Sequence, residues 1–228
     1  MPNHSIFAAA FHGDVATVKK LLNEDATLID VRDAKNLTPL HVAASRGQSV
    51  VAQLLLDYGA DVHGGVDGDV WTPLVFASYR GHYEVAKILI ENGAGVTASD
   101  GNPIHYAGQR KHKAICGLLV EHGAIDDLID SDDSDVLDLF RAGYSFDTGT
   151  LNSILDRRPD LVDSKDKQGR TVLHEACTHG DTQTVRLLLK YGADVTVLDE
   201  NGQTPADRAA AHNQSAVTKL LAKHEPAK

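Results

Sequence analysis

The chain has 228 residues, 42% of them apolar but only 5% aromatic, and a formal net charge of −10 at neutral pH. Such a length can bury a substantial core, and the scarcity of aromatics points away from one large central core towards thin layers of Ala, Leu and Val. The acidic balance disfavours nucleic-acid binding by bulk electrostatics, and two cysteines, Cys116 and Cys177, give neither a disulfide framework nor metal-ligand spacing.

Residues 1–15 hold no cationic start followed by a long apolar run, and no stretch reaches membrane-spanning length, so a reduced, cytoplasmic protein without membrane contact is expected. The segment Ile6-Phe7-Ala8-Ala9-Ala10-Phe11-His12-Gly13 reads as a helix and turn. An amphipathic helix with Val18, Leu21 and Leu22 at i, i+3 and i+4 follows. One period later come Thr38-Pro39-Leu40-His41-Val42-Ala43-Ala44, Gly47, the triplet Ala52/Leu55/Leu56 and Gly59-Ala60-Asp61. The order returns as Thr72-Pro73-Leu74, Gly81, Ala86/Leu89/Ile90 and Gly93-Ala94. It returns again as Pro103-Ile104-His105, Cys116/Leu119/Val120 and Gly123-Ala124, with Asn102 in place of the Thr and Lys111 in place of the turn glycine. An acidic stretch, 126–135, holds six aspartates in ten residues and reads as a solvated loop, since calcium-loop spacing is missing. Leu139-Phe140-Arg141-Ala142-Gly143-Tyr144 with Leu151/Ile154/Leu155 opens the next copy. Thr171-Val172-Leu173-His174 with Gly180, Val185/Leu188/Leu189 and Gly192-Ala193-Asp194 makes another, and Thr204-Pro205 begins the last.

Equivalent positions fall at 6, 40, 74, 104, 139, 173 and 206, in steps of 34, 34, 30, 35, 34 and 33. Thr caps a helix N-terminus, Pro at the first helical position loses no needed hydrogen bond, and Gly suits the left-handed helix end. One such helix pair cannot bury its own apolar faces, so neighbouring pairs must stack.

The Thr-Pro-Leu-His, Gly-His and Gly-Ala-Asp-Val elements at this period resemble the ankyrin repeat over essentially the whole chain. The resemblance implies an all-α solenoid of helix–turn–helix units with β-hairpin fingers and a concave surface that binds partners. Repeats are expected at about 2–35, 36–69, 70–99, 100–134, 135–168, 169–201 and 202–226, in one monomeric domain of residues 1–228. Residues 6–41 and 139–174 align without gaps, so the fifth unit reads like a second array start, although the 35-residue step predicts an unbroken solenoid. The family also implies that His41, His105 and His174 tie each unit to its neighbour.

Chemistry-like signals weigh towards packing. His174 and His179 are five residues apart, about 500° around a helix, so they do not share a metal-binding face. Cys177 falls in a column of small residues with Ala10, Ala44, Ser78, Gly108, Gly143 and Ala210, and Cys116 in the apolar face of an outer helix. No catalytic residue, metal ligand or cofactor site is expected. The resemblance places the two residues before each turn glycine, and the finger residue before each Thr, in the groove. Arg46, Arg80 and Arg110 then form a line across three units beside Trp71 and Tyr79, with Tyr144 and His179 at the matching later positions. Arg, Trp and Tyr are the types enriched at interface hot spots. The reading is a protein-interaction scaffold that binds another protein or peptide, most simply an acidic segment. The alternative is a sensor for a small anionic or nucleotide-like ligand on the same groove.

Overall fold

The computed structural model describes residues 2–65, 71–97, 99 and 101–224. Among them the chain forms seven consecutive helix pairs: α1 Pro2–His12 with α2 Val15–Glu24, α3 Pro39–Arg46 with α4 Ser49–Asp57, α5 Pro73–Arg80 with α6 Tyr83–Glu91, α7 Pro103–Gln109 with α8 Lys113–Glu121, α9 Ser134–Ser145 with α10 Thr148–Arg157, α11 Val172–His179 with α12 Thr182–Lys190, and α13 Pro205–Ala211 with α14 Ser215–Leu221. The degenerate first and fifth copies are therefore full helix pairs. The contacts divide the chain into two compact units, residues 1–122 and 123–228.

In the first unit the inner helices α1, α3, α5 and α7 pack in series, and so do the outer helices α2, α4, α6 and α8. In the second, α9, α11 and α13 form the inner row and α10, α12 and α14 the outer one. Leu40, Leu55, Leu74 and Leu89 are fully buried in the first unit, and Leu139, Leu151, Leu173 and Leu188 in the second. The outer-helix triplets are buried at their first residue, whereas Leu21, Leu56 and Leu189 are only half-buried. The small-residue column is tight as expected: a Cβ on Gly143 would come within 2.4 Å of Val172 Cγ1.

Capping follows the sequence. The Thr38, Thr72 and Thr204 hydroxyls accept from the backbone N–H of His41, Val75 and Asp207, and Asn102 does the same for His105. At the inner-helix end Gly47 and Gly81 take φ of 71° and 82°. These glycines serve twice, because a Cβ on either would lie 2.6 Å from the His82 or His112 ring. Each ring reaches back one repeat: His82 Nε2 meets the Ser45 carbonyl at 3.1 Å and His112 Nε2 the Tyr79 carbonyl at 3.3 Å. Gln48 does the same to Phe11 O, and in the second unit Gln214 to Thr178 O. Asp14, Asp147 and Asp181 occupy the same register; a carboxylate cannot donate to a carbonyl, and each caps its own helix instead.

The fingers correct the expectation of β-hairpins, for no strand forms among the described residues. Three described turns each close with one main-chain pair. Asp33 N–H donates to Leu37 O at 2.9 Å, but Leu37 N–H goes to the Asp33 carboxylate instead of its carbonyl. Asp166 and Arg170 repeat this arrangement, as do Asp199 and Gln203. The aspartate side chain thus takes the donor that a second ladder bond needs. In the second unit neighbouring loops share single bonds, Lys167 N–H to Leu128 O and Glu200 N–H to Gln168 O, both 3.0 Å. The acidic stretch is more than solvated loop: Asp126 pairs with Arg141 at 2.9 Å, Asp133 with Arg158 at 3.3 Å and Asp135 with Arg157 at 3.2 Å.

Candidate partner-binding groove

Helix register puts Arg46 at the end of α3, Tyr79 and Arg80 at the end of α5, and Arg110 directly after α7. Trp71 stands just before the Thr72 cap. Its carbonyl is held by His41, whose Nε2 lies 3.2 Å away. The other ring nitrogen, His41 Nδ1, accepts from Thr38 N–H at 3.1 Å, which leaves the Nε2–H form to donate to Trp71. Burial holds the His41 imidazolium down at a pKa of about 4. The family's expected tie is therefore present, and His174 repeats it towards Gln203 O at 3.2 Å.

Arg46, Trp71, Tyr79 and Arg80 line a groove of about 570 Å³ in the first unit, whose walls also include Phe11, Leu37 and Phe76. Trp71 packs on Phe76, Tyr79 and Tyr106 with ring centroids 5.2, 5.7 and 4.8 Å apart. Each arginine sits over an aromatic face: Arg46 on Phe11 at 3.8 Å, Arg80 on Tyr79 at 5.7 Å and Arg110 on the same Tyr79 ring at 4.1 Å. All three are exposed. None forms an ion pair with a carboxylate among the described residues. A guanidinium held over a ring keeps its N–H edges free for an anion. Of the five residues expected together, Arg46, Trp71, Tyr79 and Arg80 line the groove and Arg110 lies over Tyr79; Phe76 and Tyr106, which join the same aromatic cluster, were not expected there. Their signal was present in one column, where Val42, Phe76 and Tyr106 are equivalent.

Tyr144 and His179 belong to the second unit and are buried, with 6% and 4% of their surface exposed. They are not part of an open groove wall. Arg170 Nη2 donates to Tyr144 Oη at 3.0 Å and Arg208 Nε to Thr178 Oγ1 at 2.9 Å, while His179 lies 3.4 Å from Glu175 and packs edge-on to Phe146. Arg170 also pairs with Asp166 and Glu175, both at 2.7 Å, and Arg208 with Asp199 at 2.9 Å. Burial alone would raise the Glu175 carboxyl, but the His179 hydrogen bond and the charges of Arg170, His179 and Arg208 hold it well below the usual carboxylate range. Burial pushes the Tyr144 hydroxyl well above its ordinary value.

The cysteines are buried thiols without activation. Burial raises Cys116 to about 12 and Cys177 higher still. No group of three or more His, Cys, Asp or Glu among the described residues is placed to hold a metal ion. No helix among them is long and apolar enough to cross a membrane.

The comparisons with known proteins agree with this layout. A family model described as "Ankyrin repeats (3 copies)" matches residues 6–100, 65–132 and 139–228. The serine/threonine-protein kinase VIK of Arabidopsis thaliana is 50% identical over 54 residues, covering 24% of this chain and 12% of the kinase. The chain likewise spans 26% or less of the other curated relatives of comparable similarity. Among solved structures, the human ASB11 ankyrin repeat domain matches with a TM-score of 0.65, covering 98% of both chains at 24% identity. A chain from the Bdellovibrio bacteriovorus predatory endopeptidase Bd0816 in complex with the immunity protein Bd3460 matches with a TM-score of 0.51. It is 26% identical, covering 96% of this chain and 97% of that one.

Proposed function

Since the chain belongs to the ankyrin-repeat family, whose concave grooves mediate protein–protein interactions, we propose that it is a non-catalytic scaffold that captures an acidic protein segment in the groove of its first unit. One observation carries the reading: in a chain of net charge −10, three exposed arginines stand on aromatic rings and are left unpaired by the described carboxylates. A charge-assisted hydrogen bond to such a group is worth about 1.5–3 kcal/mol. Trp71 and Tyr79 add the apolar contact that makes the site more than electrostatic. Tyr144 and His179 are left out of the proposed contact surface, because both side chains are buried in the second unit.

The acting unit is proposed to be a cytoplasmic monomer in which residues 1–228 unfold together. One cooperative thermal transition is the expected observation, and two separable ones would divide the domain. A second reading takes a folded enzyme as the partner, as in the endopeptidase–immunity complex that this chain is similar to. Affinity capture tests both, with the wild-type chain and Arg80→Ala as bait. A retained protein whose binding falls at least about tenfold, or roughly 1.4 kcal/mol, in the variant supports the groove. Retention of only a small anion would favour a ligand sensor.

A further inference from the structure

Resting on the groove reading above, we infer that the captured segment is an acidic polyproline II strand carrying a carboxylate at every third residue. The register of the arginines carries the inference. Arg46 and Arg80 end α3 and α5 and Arg110 directly follows α7, three consecutive inner helices that pack directly on one another. Packed helices lie about 8–10 Å apart, so the column presents one cation per helix spacing. A polyproline II helix has three residues per turn and a rise of about 3.1 Å per residue, which puts every third side chain on one face at intervals of about 9 Å. A β-strand fails this match, because its residues i and i+3 face opposite sides. An α-helix returns to one face at i+7, about 10.5 Å on, just beyond that spacing, so the aromatic wall decides between the two.

The aromatic wall supports the same occupant. Trp71 overlies Phe76, Tyr79 and Tyr106, and half-buried aromatic grooves suit the preformed, low-entropy polyproline II backbone. Carboxylates are the matching charge, because Arg80 and Arg110 are both held at the Tyr79 ring and their edges remain for a planar acid. Asp33 and Lys35 also border the groove. The Asp33 carboxylate accepts from the backbone N–H of Lys35 and Leu37, so it is turned into its own loop.

The test is fluorescence anisotropy on the full chain with three nonapeptides. One repeats Glu-Pro-Pro three times. The second, Glu-Pro-Glu-Pro-Glu-Pro-Pro-Pro-Pro, keeps the composition but spaces the acids by two. The third replaces Glu by Gln in the first. The triplet peptide is expected to bind at least about tenfold more tightly than either control. Arg46→Ala, Arg80→Ala and Arg110→Ala should each weaken it, with circular dichroism melting unchanged. Equal affinity for both acidic peptides, lost in Arg80→Ala, would overturn the three-residue register and leave the acidic groove standing. Failure of both acidic peptides to bind would overturn the register and the groove reading together.

Discussion

The two units carry the same repeat columns and use them in opposite ways. In the first unit the positions before the inner-helix turn hold Arg46, Arg80 and Arg110, exposed, shelved on rings and unpaired by described carboxylates. In the second unit the two positions before the turn hold Tyr144 and Ser145, then Thr178 and His179; Tyr144, Thr178 and His179 are buried, with Arg170 bonded to Tyr144 and Arg208 to Thr178. Those arginines are neutralised from within by Asp166, Glu175 and Asp199. The acid supply makes the difference. Glu175, inside α11, occupies the column that holds Val42, Phe76 and Tyr106 in the first unit, where no carboxylate stands. A cation with a built-in acid stabilises its own fold, whereas one without is available to a partner.

The largest effect should come from breaking the buried network. Glu175→Ala leaves Arg170 short of a partner and should cost about 3–5 kcal/mol in urea unfolding, as removal of one member of a buried pair does. A loss as small as that from Arg80→Ala would erase the contrast between the units. Next, Leu55→Ala empties a central layer of the first unit and should cost about 2–5 kcal/mol. Leu221→Ala should cost less, because among the described elements α14 packs chiefly on α12 and α13. Equal losses would argue against a stack in which each layer leans only on its neighbours.

Acidification should sharpen the comparison in a definite order. His41 is depressed from 6.5 to about 4, so the unfolded chain binds the extra proton first. Its contribution is present above pH 6.5 and is lost as pH falls towards 4, with an upper bound of roughly 3 kcal/mol. His174 is also depressed by burial, and its effect has the same sign. The depressed Glu175 contributes stability above the ordinary carboxylate range that disappears only as pH falls through and below it. Stability measured against pH should therefore decline first through the histidines. His41→Asn should flatten that early decline. The smallest stability effect belongs to Arg80→Ala, within about 0.5 kcal/mol, as expected for an exposed side chain. Trp71→Ala will cost more, because Trp71 packs on three other rings.

The repeat register was fully legible in the residues because its causes are local. Thr caps, turn glycines and apolar triplets each act within one turn of helix, so even the degenerate copies at Ile6 and Leu139 could be placed. The fingers were not legible, since the family pattern implied hairpins while Asp33, Asp166 and Asp199 divert the second ladder bond to a side chain. The groove was legible as a column of arginines, but not the burial of Tyr144 and His179. Tyr144 is bonded by Arg170, 26 residues away, and His179 packs against Glu175 and Phe146. Periodicity places a side chain on a face, and it does not say what will lie over it.

The claim that the open cations of the first unit do the binding is tested most directly by affinity capture with two charge-removing variants of the full chain. One removes Arg46, Arg80 and Arg110 together. The other removes Arg186 and Lys190, which border a shallow depression on the outer helices of the second unit. The account predicts that the first variant loses the partner while keeping its melting temperature, and that the second retains it. Full retention by the first and loss by the second would contradict it.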